Sequence, residues 1–232
     1  MADRVRYLTG PLGKRMRPKV IALHHLTVMQ AWQSVLQDIT LDIFEGESVA
    51  LLGEPGAGKS ALLACIQGRV QPVKGEIHVL GADLPPLPPL VRRQVGMMPH
   101  QLAPRKEETV EVYLQRFAVY YDVQLTNEQM QIYCAHYQLP ASLQVIDLTP
   151  LQARILSLAL ALVHDPRLAL FDEPLTGLNE AEQEILWTYL QGIQREGRTV
   201  ICTFKFPLAE KYLSGYDLIM KLEQGRLLRQ NG

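Results

Sequence analysis

Two groups of residues could act on a phosphate. The first is Gly53-Glu-Pro-Gly-Ala-Gly-Lys-Ser60, which fits the pattern G-x-x-x-x-G-K-[S/T]. Gly53, Gly56 and Gly58 let backbone N–H groups turn inward around phosphate oxygens. The cradle takes in Glu54, Pro55, Ala57 and Ala61, and the following helix adds the positive end of its dipole. Lys59 is placed to reach the β- and γ-phosphates and Ser60 to coordinate Mg²⁺. The second group is Asp172-Glu173, at the end of the apolar run Leu168-Ala-Leu-Phe171. Asp172 is placed to hold Mg²⁺, directly or through water, and Glu173 to polarise an attacking water. A plain glycine turn or a capped loop would explain either group alone. Together they point to a bound nucleoside triphosphate.

These residues need elements that bring them to one edge. Residues 48–53 form a short continuous apolar run, suited to a strand buried on both faces of a parallel sheet. The glycine loop and the apolar segment 61–66 follow, giving strand, loop, helix. Residues 168–171, 180–194 and 199–203 continue as strand, helix and strand, and a short helix is expected near 208–213. Residues 217–222 and 226–228 flank Gln224-Gly225 as a hairpin. Parallel sheets bind ligands at the carboxyl ends of their strands, where both groups fall. Residues 20–28, 35–44, 75–80 and 94–98 read as further strands. Pro85-Pro-Leu-Pro-Pro89 implies an extended, stiff connection, with a docking site for a proline-recognising domain as the weaker reading.

Residues 109–164 read as helical. Thr109 and Thr126 are N-cap candidates, the latter at capping-box spacing from Gln129. Thr149-Pro150 opens a helix that is apolar on nearly every face and so belongs in the core. The fold class is α/β: a mainly parallel central sheet with an antiparallel β subdomain and a helical insertion over about residues 103–164.

Composition narrows the function. Lys and Arg total 23 against 24 Asp and Glu, so no overall positive field holds the chain to nucleic acid. Residues 1–19 are the exception, with six basic residues against the single acid Asp3. They read as a basic arm, solvated or in contact with anionic lipid or a partner, ahead of a domain at 20–232. Cys65, Cys134 and Cys202 stand far apart, as buried apolar residues in a reducing cytosol. No run reaches the length of a membrane span and no secretory signal opens the chain, so a cytoplasmic protein is expected.

Over about residues 20–230 the chain resembles the nucleotide-binding subunit of an ABC transporter, a P-loop NTPase. The resemblance rests on loop 53–60, Val95-Gly-Met-Met-Pro-His100, the helical insertion, Leu148-Thr-Pro-Leu-Gln152, the Asp172-Glu173 strand and Leu175-Thr-Gly-Leu-Asn179. It implies ATP and Mg²⁺ as ligands and a dimer sandwiching two ATP molecules. It also implies a separate membrane permease on the inner face of the cell membrane.

Other site residues follow from the resemblance alone. The family glutamine falls on His100, with Gln101 beside it as a metal-side candidate. The switch histidine falls on Lys205, a fixed charge that cannot do a histidine's proton-linked work near neutral pH. Trp32 could stack on adenine if strand alternation puts it on the same side as Gln30. The family signature Leu-Ser-Gly-Gly-Gln is altered here to Leu148-Thr-Pro-Leu-Gln152, in which Thr149 and Gln152 could still reach the opposite ATP. Pro150 lacks an N–H and Leu151 adds bulk. Asn179 replaces the family aspartate. These departures favour the divergent half of a heterodimer over a homodimer. The alternative is a regulatory or structural ATP-binding module with little or no hydrolysis. A DNA-repair or ribosome-acting relative would need coiled coils or a second ATP module, and 232 residues hold neither.

Overall fold

The computed structural model describes residues 17–229. Most of the basic arm read at 1–19 therefore lies outside the described residues. Two sheets organise the chain. Strands β1 (Lys19–Gln30), β2 (Gln33–Phe44), β4 (Lys74–Val79) and β5 (Ala82–Leu84) form an antiparallel sheet in the order β2-β1-β4-β5. The second sheet joins β3 (Ser48–Gly53), β6 (Val95–Met97), β7 (Leu168–Phe171), β8 (Thr199–Lys205), β9 (Leu218–Glu223) and β10 (Arg226–Arg229) in the order β10-β9-β3-β8-β7-β6. All its pairings are parallel except the closing β9–β10 hairpin.

Alternation along the parallel strands separates two cores. Ala50, Leu52, Ala169, Phe171, Val200 and Cys202 face one way, toward helices α3 (Val110–Tyr120), α4 (Asn127–His136), α5 (Pro150–Leu162) and α6 (Glu180–Arg195). Val49, Leu51, Leu168, Leu170 and Ile201 face the other way, toward α1 (Lys59–Ile66) and the antiparallel sheet. Strand β3 is buried at every position because both of its faces are covered. Cys65, Cys134 and Cys202 are free and buried.

Helices start where their caps permit. Thr109 caps α3, and Thr126 with Gln129 closes a capping box on α4. Thr149 and Gln152 do the same for α5, with Pro150 in its first turn. From Ile155 to Leu162 every residue of α5 is buried; Ser157 satisfies its hydroxyl by donating to the Ala153 carbonyl at 2.9 Å.

Three local expectations need correction. The short helix near 208–213 is only a 3-10 turn, Glu210–Tyr212. The proline run is not extended throughout: Pro88 is extended, but Pro89 opens the short helix α2 (Pro89–Arg92), where proline costs little. Trp32 is not on a strand. Gln30 pairs with Gln33, so Ala31 and Trp32 form a two-residue hairpin turn, both at positive φ. The strand-alternation argument therefore does not apply to it.

Candidate functional site

Strand order assembles the site. β3, β8, β7 and β6 lie side by side and parallel, so their carboxyl ends form one row. The glycine loop leaves β3, Lys205 ends β8, Asp172 and Glu173 leave β7, and residues 98–105 leave β6. Gly53 pairs with Lys205, and Phe171 with Cys202. The next positions, Asp172 and Thr203, thus meet side by side.

The glycine loop is built against backbone. A Cβ on Gly58, at φ 107°, would come within 2.6 Å of the Val35 carbonyl. One on Gly53 would come within 2.7 Å of the Leu222 carbonyl. Neither neighbour can yield, so both positions need glycine. Lys59 is only 4% exposed. Its Nζ donates to the carbonyls of Gly53 at 2.7 Å and Glu54 at 3.1 Å, and pairs with Glu173 Oε1 at 3.1 Å. Glu54, Pro55 and Gly56 are exposed, Ala57 is buried, and Ser60 is exposed on the first turn of α1.

The two acids share one hydroxyl. Thr203 Oγ1 donates to Asp172 Oδ1 at 2.6 Å and accepts the Glu173 backbone N–H at 2.9 Å. Thr203 is fully buried, so this bond is shielded from competing water. Glu173 sits at φ 46°, a conformation that costs a non-glycine residue free energy and must be held by its surroundings. Thr176 Oγ1 donates to Glu173 Oε2 at 3.2 Å, and Lys205 Nζ lies 3.8 Å from the same oxygen. One carboxylate therefore spans both lysines.

The remaining expected residues lie apart from this centre. His100 and Gln101 are exposed and line a cleft of 720 Å³ with Leu102, Ile146, Arg154 and Gly177. Among the described residues no hydrogen bond or ion pair links them to Lys59 or the acids. Thr149 and Gln152 bond to each other's backbone N–H, at 3.2 and 3.0 Å, across the start of α5. Asn179 caps α6 by accepting the Glu182 N–H at 3.0 Å, a job an aspartate would do equally well. Trp32 is 96% exposed at its hairpin tip.

Thr203, Thr176 and Arg154 were not singled out from the sequence. Arg154 Nη2 donates to the Thr176 carbonyl at 3.0 Å. Burial pulls its guanidinium below the ordinary value, and the nearby Glu173 charge opposes that. Thr176 lies within the segment 175–179 but was given no role there, and no motif marks Thr203 or Arg154. Their roles come from strand register and from the path of loop 173–179.

The donor set also bears on a metal. Ser60 and Asp172 offer hard oxygen atoms, and no group of three or more His, Cys, Asp or Glu among the described residues could hold an ion alone. The two oxygens of Ser60 and Asp172 suit Mg²⁺ in chemistry, since that ion takes one or two protein oxygens and completes its shell with phosphate and water.

The ABC transporter family model matches residues 36–176. Nod factor export ATP-binding protein I of Mesorhizobium japonicum is 31% identical over 202 residues, covering 85% of this chain and 59% of that protein. The protein of the same name from Rhizobium meliloti is 30% identical over 230 residues, covering 95% and 68%. The chain thus spans 59% of the length of the first of these relatives. The solved structure of an ATP-binding subunit of an ABC transporter matches with a TM-score of 0.75 and 26% identity, over 90% of this chain and 88% of that one. A bacterial ABC transporter cassette, solved as a dimer, shares the fold with a TM-score of 0.77 and 21% identity, over 91% and 99%.

Proposed function

The chain belongs to the ABC transporter family, and from that premise we propose that it is an ATP-binding subunit that binds and hydrolyses Mg-ATP to drive a separate membrane permease. The observation that carries this reading is the Lys59–Glu173 pair, 3.1 Å across, with Glu173 and Asp172 both held by Thr203. Phosphoryl transfer asks mainly for positioning and charge, and these residues offer both.

In this reading the glycine loop and the α1 N-terminus cradle the phosphates. The γ-phosphate competes with Glu173 for Lys59 and Lys205, freeing the carboxylate to accept a proton from the attacking water. Lys205 faces the γ-phosphate with its ammonium charge. Ser60 and Asp172 would hold Mg²⁺, with Gln101 as a further candidate, and the ion would supply positive charge against the phosphates. Trp32 offers a flat exposed face to adenine from the hairpin tip. The permease docks in the cleft lined by His100 and Gln101 and on the helical insertion, which puts the subunit on the inner face of the membrane. No helix among the described residues is long and apolar enough to cross a membrane.

The start of α5 favours a heterodimer. The Thr149–Gln152 capping box uses the side chains that would reach an opposite ATP, and Pro150 has no N–H to offer. A second ATP-binding chain with an intact Leu-Ser-Gly-Gly-Gln segment would supply the better contact. ATP hydrolysis by the purified chain should be slow and should rise when that partner is added. In the mixture, Glu173→Gln should lower the rate by about 10²–10⁴-fold, the usual worth of a general base. Fast turnover by the chain alone would remove the heterodimer. The same α5 geometry also supports the second reading, a nucleotide-binding module with little hydrolysis. That reading gains if Glu173→Gln leaves function unchanged.

A further inference from the structure

Arg154 connects two parts of the molecule that share no motif. It lies on α5, two residues beyond Gln152, and lines the 720 Å³ cleft together with His100. Its guanidinium is partly buried, an expensive position for a charge without a purpose. Nη2 donates to the Thr176 carbonyl at 3.0 Å. Thr176 in turn holds Glu173 twice, by its N–H to the Glu173 carbonyl at 3.1 Å and by its hydroxyl to Oε2 at 3.2 Å. On the other side Thr203 holds the Glu173 N–H.

Glu173 needs such holding. Its positive φ is unfavourable for a side chain of its size and persists only where surrounding bonds fix it. In the loop after it Pro174 and Leu175 are buried, but Gly177 is exposed and a Cβ there would touch nothing within 4 Å, so between them Thr176 is the loop's polar hold on the cleft side.

We infer that Arg154 is a positioning residue: by clamping the Thr176 carbonyl it sets the place of the Glu173 carboxylate and ties that place to the cleft wall. The inference rests on the hydrolytic reading for its effect on rate, but the clamp itself is a statement about loop 173–178. An occupant pushing on Arg154 from the cleft would then move the acid through a single intervening residue.

Three variants test this, Arg154→Ala, Arg154→Lys and Thr176→Val, each mixed with the second ATP-binding chain. Arg154→Ala should lower kcat about 10- to 100-fold, the scale of a misplaced catalytic group. KM for ATP should stay within about twofold, because no phosphate contact is lost. Arg154→Lys should recover part of the rate, and Thr176→Val should match Arg154→Ala. On a Glu173→Gln background Arg154→Ala should change nothing further, because it acts through that carboxylate. Amide hydrogen exchange at residues 175–178 should speed up several-fold in Arg154→Ala, with residues 53–61 unchanged. Unchanged exchange at 175–178, or a raised KM with normal kcat, would overturn the clamp. Faster exchange without Glu173-dependent hydrolysis would sink the hydrolytic reading and leave the clamp standing.

Discussion

Thr203 does more for the site than its type suggests. One hydroxyl orients Asp172 and pins the Glu173 backbone, so both acids depend on it. Thr203→Val keeps the shape but leaves a buried N–H and a carboxylate oxygen short of a partner. We expect a loss of about 1–3 kcal/mol in stability, the cost of such an orphaned group. ATP affinity should fall about 10- to 100-fold in Mg²⁺ and much less in EDTA, since outer partners of a metal ligand carry effects of that size. Titration of both proteins in both buffers checks it; equal losses with and without Mg²⁺ would refute the role. Lys59, Asp172 and Glu173 were legible because their chemistry is written in short motifs. Thr203 was not, because its role arises only when β7 and β8 pair with Phe171 beside Cys202. The strand alternation expected at Trp32 failed for a related reason. Ala-Trp carries no turn signal, so its place at a hairpin tip could not be seen before the register of β1 and β2 was known.

At the scale of elements, the helical segment owes its entry to one buried acid. Glu108 is 6% exposed just ahead of the α3 cap. Its carboxylate accepts Arg116 Nε at 2.8 Å and Nη2 at 2.9 Å, and the Arg105 N–H at 2.8 Å. Its carbonyl accepts the Val145 N–H at 2.9 Å, drawing in the chain ahead of α5. The Arg116 hydrogen bond holds the Glu108 carboxyl below its usual range, against the opposing effect of burial. A depressed folded value means the stability is present above the unfolded carboxyl value, about 4.3, and is lost as pH falls through the folded one. Glu108→Gln should therefore lower Tm at pH 7, by about 2 kcal/mol of stability. It should also flatten the fall of Tm in acid. Parallel Tm–pH curves for the two proteins would contradict this. The caps at Thr109, Thr126 and Thr149 were readable because they depend on neighbours three residues away. The Glu108–Arg116 staple also joins neighbours, but each residue taken singly reads as an ordinary exposed charge. The two-residue excess at the end of β8, Phe204 and Lys205, was equally hidden, since only pairing with Leu52 and Gly53 extends that strand.

Taken whole, the molecule gathers the glycine loop, Lys59 and both acids on one sheet edge, and no helix among the described residues is long and apolar enough to cross a membrane. The alternation of strand and helix was enough to read the parallel sheet and its active edge. The strand order was not readable, because β3 sits between β8 and β9, strands that come far later in the chain. The central claim is that this edge binds ATP through Lys59. Calorimetric titration of the purified chain with Mg-ATP tests it most directly. Wild-type protein should bind about one ATP per chain, and Lys59→Ala, folded by its unchanged circular dichroism, should bind about 10- to 100-fold more weakly, the worth of a charge-assisted phosphate contact. Equal binding by the two proteins, or none by the wild type, would contradict the account.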